Sequence, residues 1–218
     1  MNKTPVIHVL AGPNGVGKTT LNYFAIPDGV TYINADDIAR QLRERMGNIN
    51  LQEIANAQAI EQMNKFIERK ESFAIETNLA DLETWKFLMG VQKLGYYLQL
   101  YFFCVDDIAI CNNRITYRVL QGGHFVNPQT VKMRYDAGLK LLKQFKNIPN
   151  NLILIDNSTE SIKCSELQQG NLVFQKDDLP NWIKNLFETY DTKKDEFLDI
   201  ESVKEKYRQI KKDTEDKN

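Results

Sequence analysis

The sequence predicts an α/β domain built on a parallel sheet with helices on both faces. Three observations predict it. Strand-length apolar runs alternate with helical stretches as far as Ser158. The first run leads into Gly12-Pro13-Asn14-Gly15-Val16-Gly17-Lys18-Thr19, which fits the phosphate-loop pattern G-x-x-x-x-G-K-[ST] between a strand and a helix. Acidic residues stand at the ends of the later runs, where open α/β sheets bind their ligands.

The elements follow in order. Val6-Ile7-His8-Val9-Leu10-Ala11 reads as a buried parallel strand over 5–11. A helix over 18–25 opens with Thr19-Thr20-Leu21-Asn22-Tyr23-Phe24. A strand over 30–34 and a helix over 36–46 come next. In the helix over 51–70, Leu51, Ile54, Ala55, Ala59, Ile60, Met63, Phe66 and Ile67 recur on one face. Strands follow over 72–77, 96–105 and 151–156, with helices over 82–93, 107–121 and 128–146. Leu172-Val173-Phe174 suits a short extra strand, and Pro180 to Tyr190 a helix with proline near its first turn. From Asp191 on, Lys, Glu and Asp dominate, with a helical stripe of Phe197, Leu198, Ile200, Val203, Tyr207 and Ile210. That stretch, 191–218, reads as a charged helical tail with a frayed end; a partner-binding helix is the alternative.

Composition narrows the class. The chain has 218 residues, 42% hydrophobic and 26% charged, as a globular protein does. Its net charge of -1 gives no global field for nucleic acid or an anionic membrane. Cys104, Cys111 and Cys164 form no C-x-x-C pair, and the N-terminal residues do not resemble a signal peptide, so a cytoplasmic protein with core cysteines is expected. No apolar run approaches a membrane span, and two histidines without metal-ligand spacing do not make a zinc site.

The loop carries the first chemistry. Residues 12–20, from Gly12 to Thr20, are expected to bind a nucleoside triphosphate, with backbone N–H groups at a helix start facing the phosphates. Lys18 reaches the β- and γ-phosphates and Thr19 ligates Mg²⁺. Asp36, Glu76, Asp106 and Asp156 follow apolar strands. Asp36 is expected to be the general base, with helix N-capping as its alternative and Asp37 as the cap if Asp36 faces the site. Glu76 is expected to contact substrate or a Mg²⁺-bound water, with a structural ion pair as the alternative. Asp106 and Asp107 read as starters of the helix from Ile108. Asp156-Asn157-Ser158 reads equally as a border of the nucleotide base or a strand-exit turn.

Arg114 and Arg118 share a helix face, Gln121-Gly122-Gly123-His124 breaks that helix, and Asn127-Pro128 begins another carrying Lys132 and Arg134. Two cationic helices across a Gly-Gly hinge, about residues 112–136, form an expected lid over the transferring phosphoryl, a solvated basic hairpin being the alternative. His124 suits a substrate contact or a lid hydrogen bond equally. His8, inside a strand, reads as a core histidine.

Taken together, Gly12–Thr19, Asn34-Ala35-Asp36-Asp37-Ile38-Ala39, Glu76-Thr77-Asn78-Leu79, Arg114 and Arg118 with Gly122-Gly123-His124-x-Val126, and Arg134-Tyr135 resemble the zeta-toxin-like P-loop kinases. The resemblance spans roughly residues 5–158. It implies a three-layer kinase-like domain over 1–190 with a central five-stranded parallel sheet and a helical lid. It also implies ATP/Mg²⁺-dependent phosphorylation of a hydroxyl on a small molecule, a UDP-activated amino sugar in the characterised toxins, and an antitoxin protein partner. Carried over to this chain, Lys18, Asp36, Arg118 and Arg134 are catalytic, and Asp36, Glu76, Asn78 and His124 bind substrate. The chain departs from that pattern with Asn127 after the lid valine, Met133 beside Arg134, and Asn78 where a hydroxyl is expected. Two other classes compete: a nucleotide-driven ATPase or switch, for which Phe102 to Asp107 resembles a metal-binding strand, and a binding module acting through the charged C-terminus.

Overall fold

The computed structural model describes residues 4–46, 51–123 and 125–188. The expected tail over 191–218 and His124 lie outside these residues. A compact unit runs over Met1–Phe187.

Seven strands form one mixed sheet: β1 (Val6–Ala11), β2 (Thr31–Ile33), β3 (Phe73–Thr77), β4 (Tyr97–Cys104), β5 (Asn151–Asp156), β6 (Ile162–Gln168) and β7 (Asn171–Gln175). The spatial order is β2-β3-β1-β4-β5-β6-β7. The first five are parallel, and β6 and β7 add an antiparallel hairpin beside β5. The expected sheet of five parallel strands is therefore extended by two. Gln169 and Gly170 make the hairpin turn, both with positive φ of 50° and 79°, the signature of a two-residue type I′ connection. Leu172-Val173-Phe174 falls in the outer strand β7.

The helices are α1 (Asn22–Ala25), α2 (Ala35–Met46), α3 (Leu51–Arg69), α4 (Leu82–Lys93), α5 (Ile108–Leu120), α6 (Pro128–Phe145) and α7 (Asn181–Phe187). The helix expected from residue 18 begins as a 3₁₀ turn, Lys18–Leu21, and becomes α-helical only at Asn22. Alternation along the strands sorts the core into two layers. Ile7, Val9, Leu98, Leu100, Phe102, Leu152 and Leu154 face Trp85 and Leu88 of α4, Leu142 of α6 and Trp182 of α7. On the other face Leu10 and Phe103 pack with Val16, Ala25, Cys111 and Ile115. All three cysteines are buried and free. No described helix is long and apolar enough to cross a membrane.

This parallel packing brings the carboxyl ends of β1 to β5 to one edge, where the loops carry function. Away from that edge, one polar row crosses the sheet. His8 lies beside Gln99 and Gln99 beside Asn151. Asn151 Nδ2 donates to Gln99 Oε1 at 3.1 Å, while His8 Nδ1 is buried without a partner among the described residues. Burial pulls the His8 imidazole below its ordinary value of 6.5, so the fold holds it neutral. The unfolded chain protonates first as the pH falls. Stability is therefore complete above the unfolded value and declines as the pH drops below it. Urea unfolding at pH 7.5 and 5.5 should show this decline, and His8→Gln should reduce it.

Candidate active site

The phosphate loop leaves β1 at Ala11 and is fixed by close approach. Gly12 has φ 138°, and a Cβ there would lie 2.1 Å from the Phe103 carbonyl oxygen of β4. Gly15 has φ 80°, and a Cβ there would lie 2.5 Å from the Cys111 carbonyl oxygen of α5. Only glycine supplies both the positive φ and the clearance. The Val16 side chain is fully buried. Its carbonyl accepts from Asn157 Nδ2 at 2.6 Å and Arg114 Nη1 at 3.4 Å. Arg134 Nη1 donates to Asn14 Oδ1 at 2.8 Å. The loop is thus held from β4, α5, α6 and the turn after β5.

At the loop's end the Lys18 side chain is 6% exposed. It donates to the carbonyls of Gly12 at 2.7 Å and Pro13 at 3.1 Å, and Glu76 Oε1 stands 3.9 Å away. Burial pulls Lys18 below its ordinary value, and the negative charge of Glu76 opposes the shift. Glu76 reaches it because of register: Leu10 lies opposite Glu76 across β1 and β3. Tyr32 lies opposite Ala74 across β2 and β3, and alternation puts Ala74 and Glu76 on one face. Tyr32 therefore shares that face, and its hydroxyl donates to Glu76 Oε2. The same oxygen accepts from Thr19 Oγ1 at 2.9 Å and Asn34 Nδ2 at 3.3 Å. Burial, reinforced by the Glu76 charge and hydrogen bond, drives the Tyr32 hydroxyl well above the usual phenol range.

Asn34 also caps α2, its Oδ1 accepting the Asp36 N–H at 2.9 Å. The capping expected of Asp36 or Asp37 belongs to Asn34, whose short amide can serve Glu76 and the helix start together. Asp37 pairs with Arg40 at 3.2 Å. Asp36 is exposed on the first turn of α2 and lines the cleft.

The remaining strand-end carboxylates have structural duties. Asp107 caps α5 through the Ala109 N–H at 2.8 Å. Asp106 does not start that helix. Its oxygens accept the N–H groups of Asn181 and Trp182 at 3.0 and 2.9 Å, capping α7 instead. The carboxylate on which the ATPase reading rests is therefore committed to a distant helix. Asp156 accepts Trp182 Nε1 at 2.9 Å and the Ser158 hydroxyl at 3.1 Å, while its neighbour Asn157 turns to the loop.

These elements enclose a cleft of 730 Å³, within the range of small-molecule sites. Asn14, Gly15, Gly17, Lys18, Thr19 and Thr20 line it at the loop. Asp36 and Glu76 line one side; Arg114, Arg118, Gly122 and Gly123 line another. Gly12, Pro13 and Val16 lie outside that lining. Asn78 does not line the cleft either; its carbonyl lies beneath Gly138 of α6. Arg134 meets the loop through Asn14. The Gly-Gly break is a Schellman motif: Gly122 N–H donates to the Val119 carbonyl at 3.0 Å and Gly123 N–H to the Arg118 carbonyl at 2.9 Å. Sequence reasoning gave no role to Tyr32 or Asn34 and none at the loop to Asn157. Only the β2–β3 register identifies the first two, as partners of Glu76.

No protein-family model matches the chain. An uncharacterized protein of Haemophilus influenzae is 31% identical over 125 residues, 57% of this chain and 88% of that protein. A crystal structure of AvrRxo1-ORF1:AvrRxo1-ORF2 with sulphate ions has TM-score 0.62 at 14% identity, over 78% of this chain. This chain spans only 60% of that one. The same complex with ATP gives 0.58 at 13% identity. A chain from the PezAT chromosomal toxin-antitoxin system of Streptococcus pneumoniae gives 0.56 at 13% identity, over 97% of this chain and 88% of that one.

Because Asn34 supports both Glu76 and α2, Asn34→Ala should lower stability by about 1–2 kcal/mol in urea unfolding. Asn34→Asp keeps a capping oxygen but sets a second carboxylate against Glu76, and should recover only part of that loss.

Proposed function

We propose that this chain, which belongs to one family with the Haemophilus influenzae protein and has the fold of the zeta-toxin-like P-loop kinases, is an ATP-dependent kinase of a small-molecule hydroxyl. One observation carries the reading. A carboxylate with no hydrogen bond or ion pair among the described residues, Asp36, opens on the same cleft as the buried Lys18, Thr19 and Glu76.

In this reading the loop from Gly12 to Thr20 binds the triphosphate, and Lys18 exchanges its contacts with the Gly12 and Pro13 carbonyls for phosphate oxygens. Among the described residues no group of three His, Cys, Asp or Glu side chains could hold a metal by itself. That suits Mg²⁺ held mainly by phosphates, with the Thr19 hydroxyl as protein ligand and Glu76 acting through a water. Mg²⁺ supplies charge neutralisation and alignment of the triphosphate. Asp36 takes the proton of the acceptor hydroxyl. Arg118 of α5 and Arg134 of α6 neutralise charge on the transferred phosphoryl group. Closure of the segment about 112–136 around Gly122-Gly123 excludes water. His124 belongs to the acceptor side in this reading by its place beside the Gly-Gly break, whereas Asn78, outside the cleft lining, would reach the acceptor only if β3's end moved toward it.

The first acceptor to test is a UDP-activated amino sugar, on the strength of the sequence resemblance. A protein partner of antitoxin type is part of the same reading, supported by the likeness to a chain of a toxin-antitoxin system. A cytoplasmic location is supported by three buried, unpaired cysteines.

Incubation with ATP·Mg²⁺ and a panel of UDP-sugars, sugars and nucleosides should yield a product heavier by one phosphoryl group. Only ADP and free phosphate, whatever the acceptor, would contradict the proposal. Asp36→Asn should lower kcat at least ~100-fold while ATP affinity, measured by calorimetry, changes less than about twofold, since the phosphate loop is untouched.

A further inference from the structure

We propose that Asn157 is a positioning residue of the phosphate loop. Its side-chain amide, set by the Ser161 hydroxyl, holds the Val16–Gly17 peptide with its N–H turned toward the triphosphate. This inference rests on the kinase reading only in taking a triphosphate as the ligand of the loop.

The Val16–Gly17 peptide is trans, so its carbonyl and its N–H point in opposite directions. The Val16 carbonyl accepts from Asn157 Nδ2 at 2.6 Å and, more weakly, from Arg114 Nη1 at 3.4 Å. The Gly17 N–H, on the opposite side, makes no hydrogen bond among the described residues, and Gly17 lines the cleft. Backbone sterics alone do not hold this orientation. Turning the peptide over changes ψ of Val16 and φ of Gly17, and glycine takes either sign of φ. A turned peptide would present a carbonyl oxygen to phosphate oxygens in place of a donor. The side chains on the Val16 carbonyl therefore hold the donor in place, and Asn157 makes the shorter bond.

Asn157 is itself fixed on several sides. Its backbone N–H donates to the carbonyl of Cys104, at the end of β4, at 2.8 Å. A carbonyl can only accept, so Val16 requires the amide nitrogen on its side. The amide oxygen then takes the Ser161 hydroxyl at 2.7 Å. Gly17 leaves the passage open, since a Cβ there would lie 2.7 Å from Asn157 Nδ2. Both polar atoms of the amide thus have protein partners, which favours the loop over the nucleotide base as the target of Asn157. An aspartate in its place would offer Val16 no donor and would set a carboxylate beside the phosphates.

The test is calorimetric titration of ATP·Mg²⁺ and of tripolyphosphate·Mg²⁺, which carries the phosphates without the base. Both are titrated into the full chain and into Asn157→Ala, Asn157→Asp and Ser161→Ala, with folding checked by circular dichroism. Asn157→Ala should weaken both ligands alike, about tenfold, Asn157→Asp more, and Ser161→Ala about threefold. In isotope-labelled wild type the Gly17 amide proton should move downfield when tripolyphosphate is added, and much less in Asn157→Ala. If Asn157→Ala does not fold, Ser161→Ala decides, because Ser161 is exposed. A loss confined to ATP would assign Asn157 to the base. That result overturns the inference and leaves the kinase reading standing. So do unchanged affinities in the folded variants, a Gly17 amide that tripolyphosphate does not shift, or tripolyphosphate that fails to bind where ATP binds. A wild type that binds neither ligand overturns both.

Discussion

The buried ammonium of Lys18 is the constraint on which the rest of the site depends. A charged side chain with 6% exposure is costly unless partners surround it. Two carbonyls of its own loop and the Glu76 carboxylate supply them. The loop must curl for its carbonyls to reach Nζ, and it can do so only with glycine at positions pressed by β4 and α5. The carboxylate must arrive from β3, so the β1–β3 register is part of the same requirement. Phosphate oxygens would satisfy the ammonium better than carbonyls do, and the geometry therefore favours a ligand of high negative charge.

Glu76 passes the constraint outward. Its Oε2 gathers Thr19, Tyr32 and Asn34, and Asn34 in turn sets the first turn of α2 and hence the position of Asp36. Glu76 beside Lys18 and the helix turn that carries Asp36, assigned to donor and acceptor in the proposed reading, are thus joined through one amide. The contacts from Lys18 through Glu76 and Asn34 to the first turn of α2 span two strand ends, without any long loop between them.

Much of this was legible in the sequence, for identifiable reasons. Strands buried on both faces read as apolar runs, so β1, β3, β4 and β5 stood out, and α4 occupies the helix expected over 82–93. Strand β6 did not stand out, because in Ile162-Lys163-Cys164-Ser165-Glu166-Leu167-Gln168 polar and charged residues interrupt the apolar ones, although the strand lies between β5 and β7. Asp106 was misread as a starter of α5 because its partners, Asn181 and Trp182, lie 75 and 76 residues further on, beyond any local pattern. Lys18, Thr19, Asp36 and Glu76 could be named from motif and strand-end position. Tyr32 could not, since a tyrosine in a short strand acquires meaning only when the β2–β3 register sets it over Glu76.

The central claim is that this loop, closed around Lys18, receives a nucleoside triphosphate. Isothermal titration of ATP·Mg²⁺ into the wild-type chain and into Lys18→Met, with folding of both checked by circular dichroism, tests it most directly. The account predicts one saturable site in the wild type and its loss in the folded variant. A wild type that binds no ATP, or a Lys18→Met protein that binds it as tightly, would contradict it.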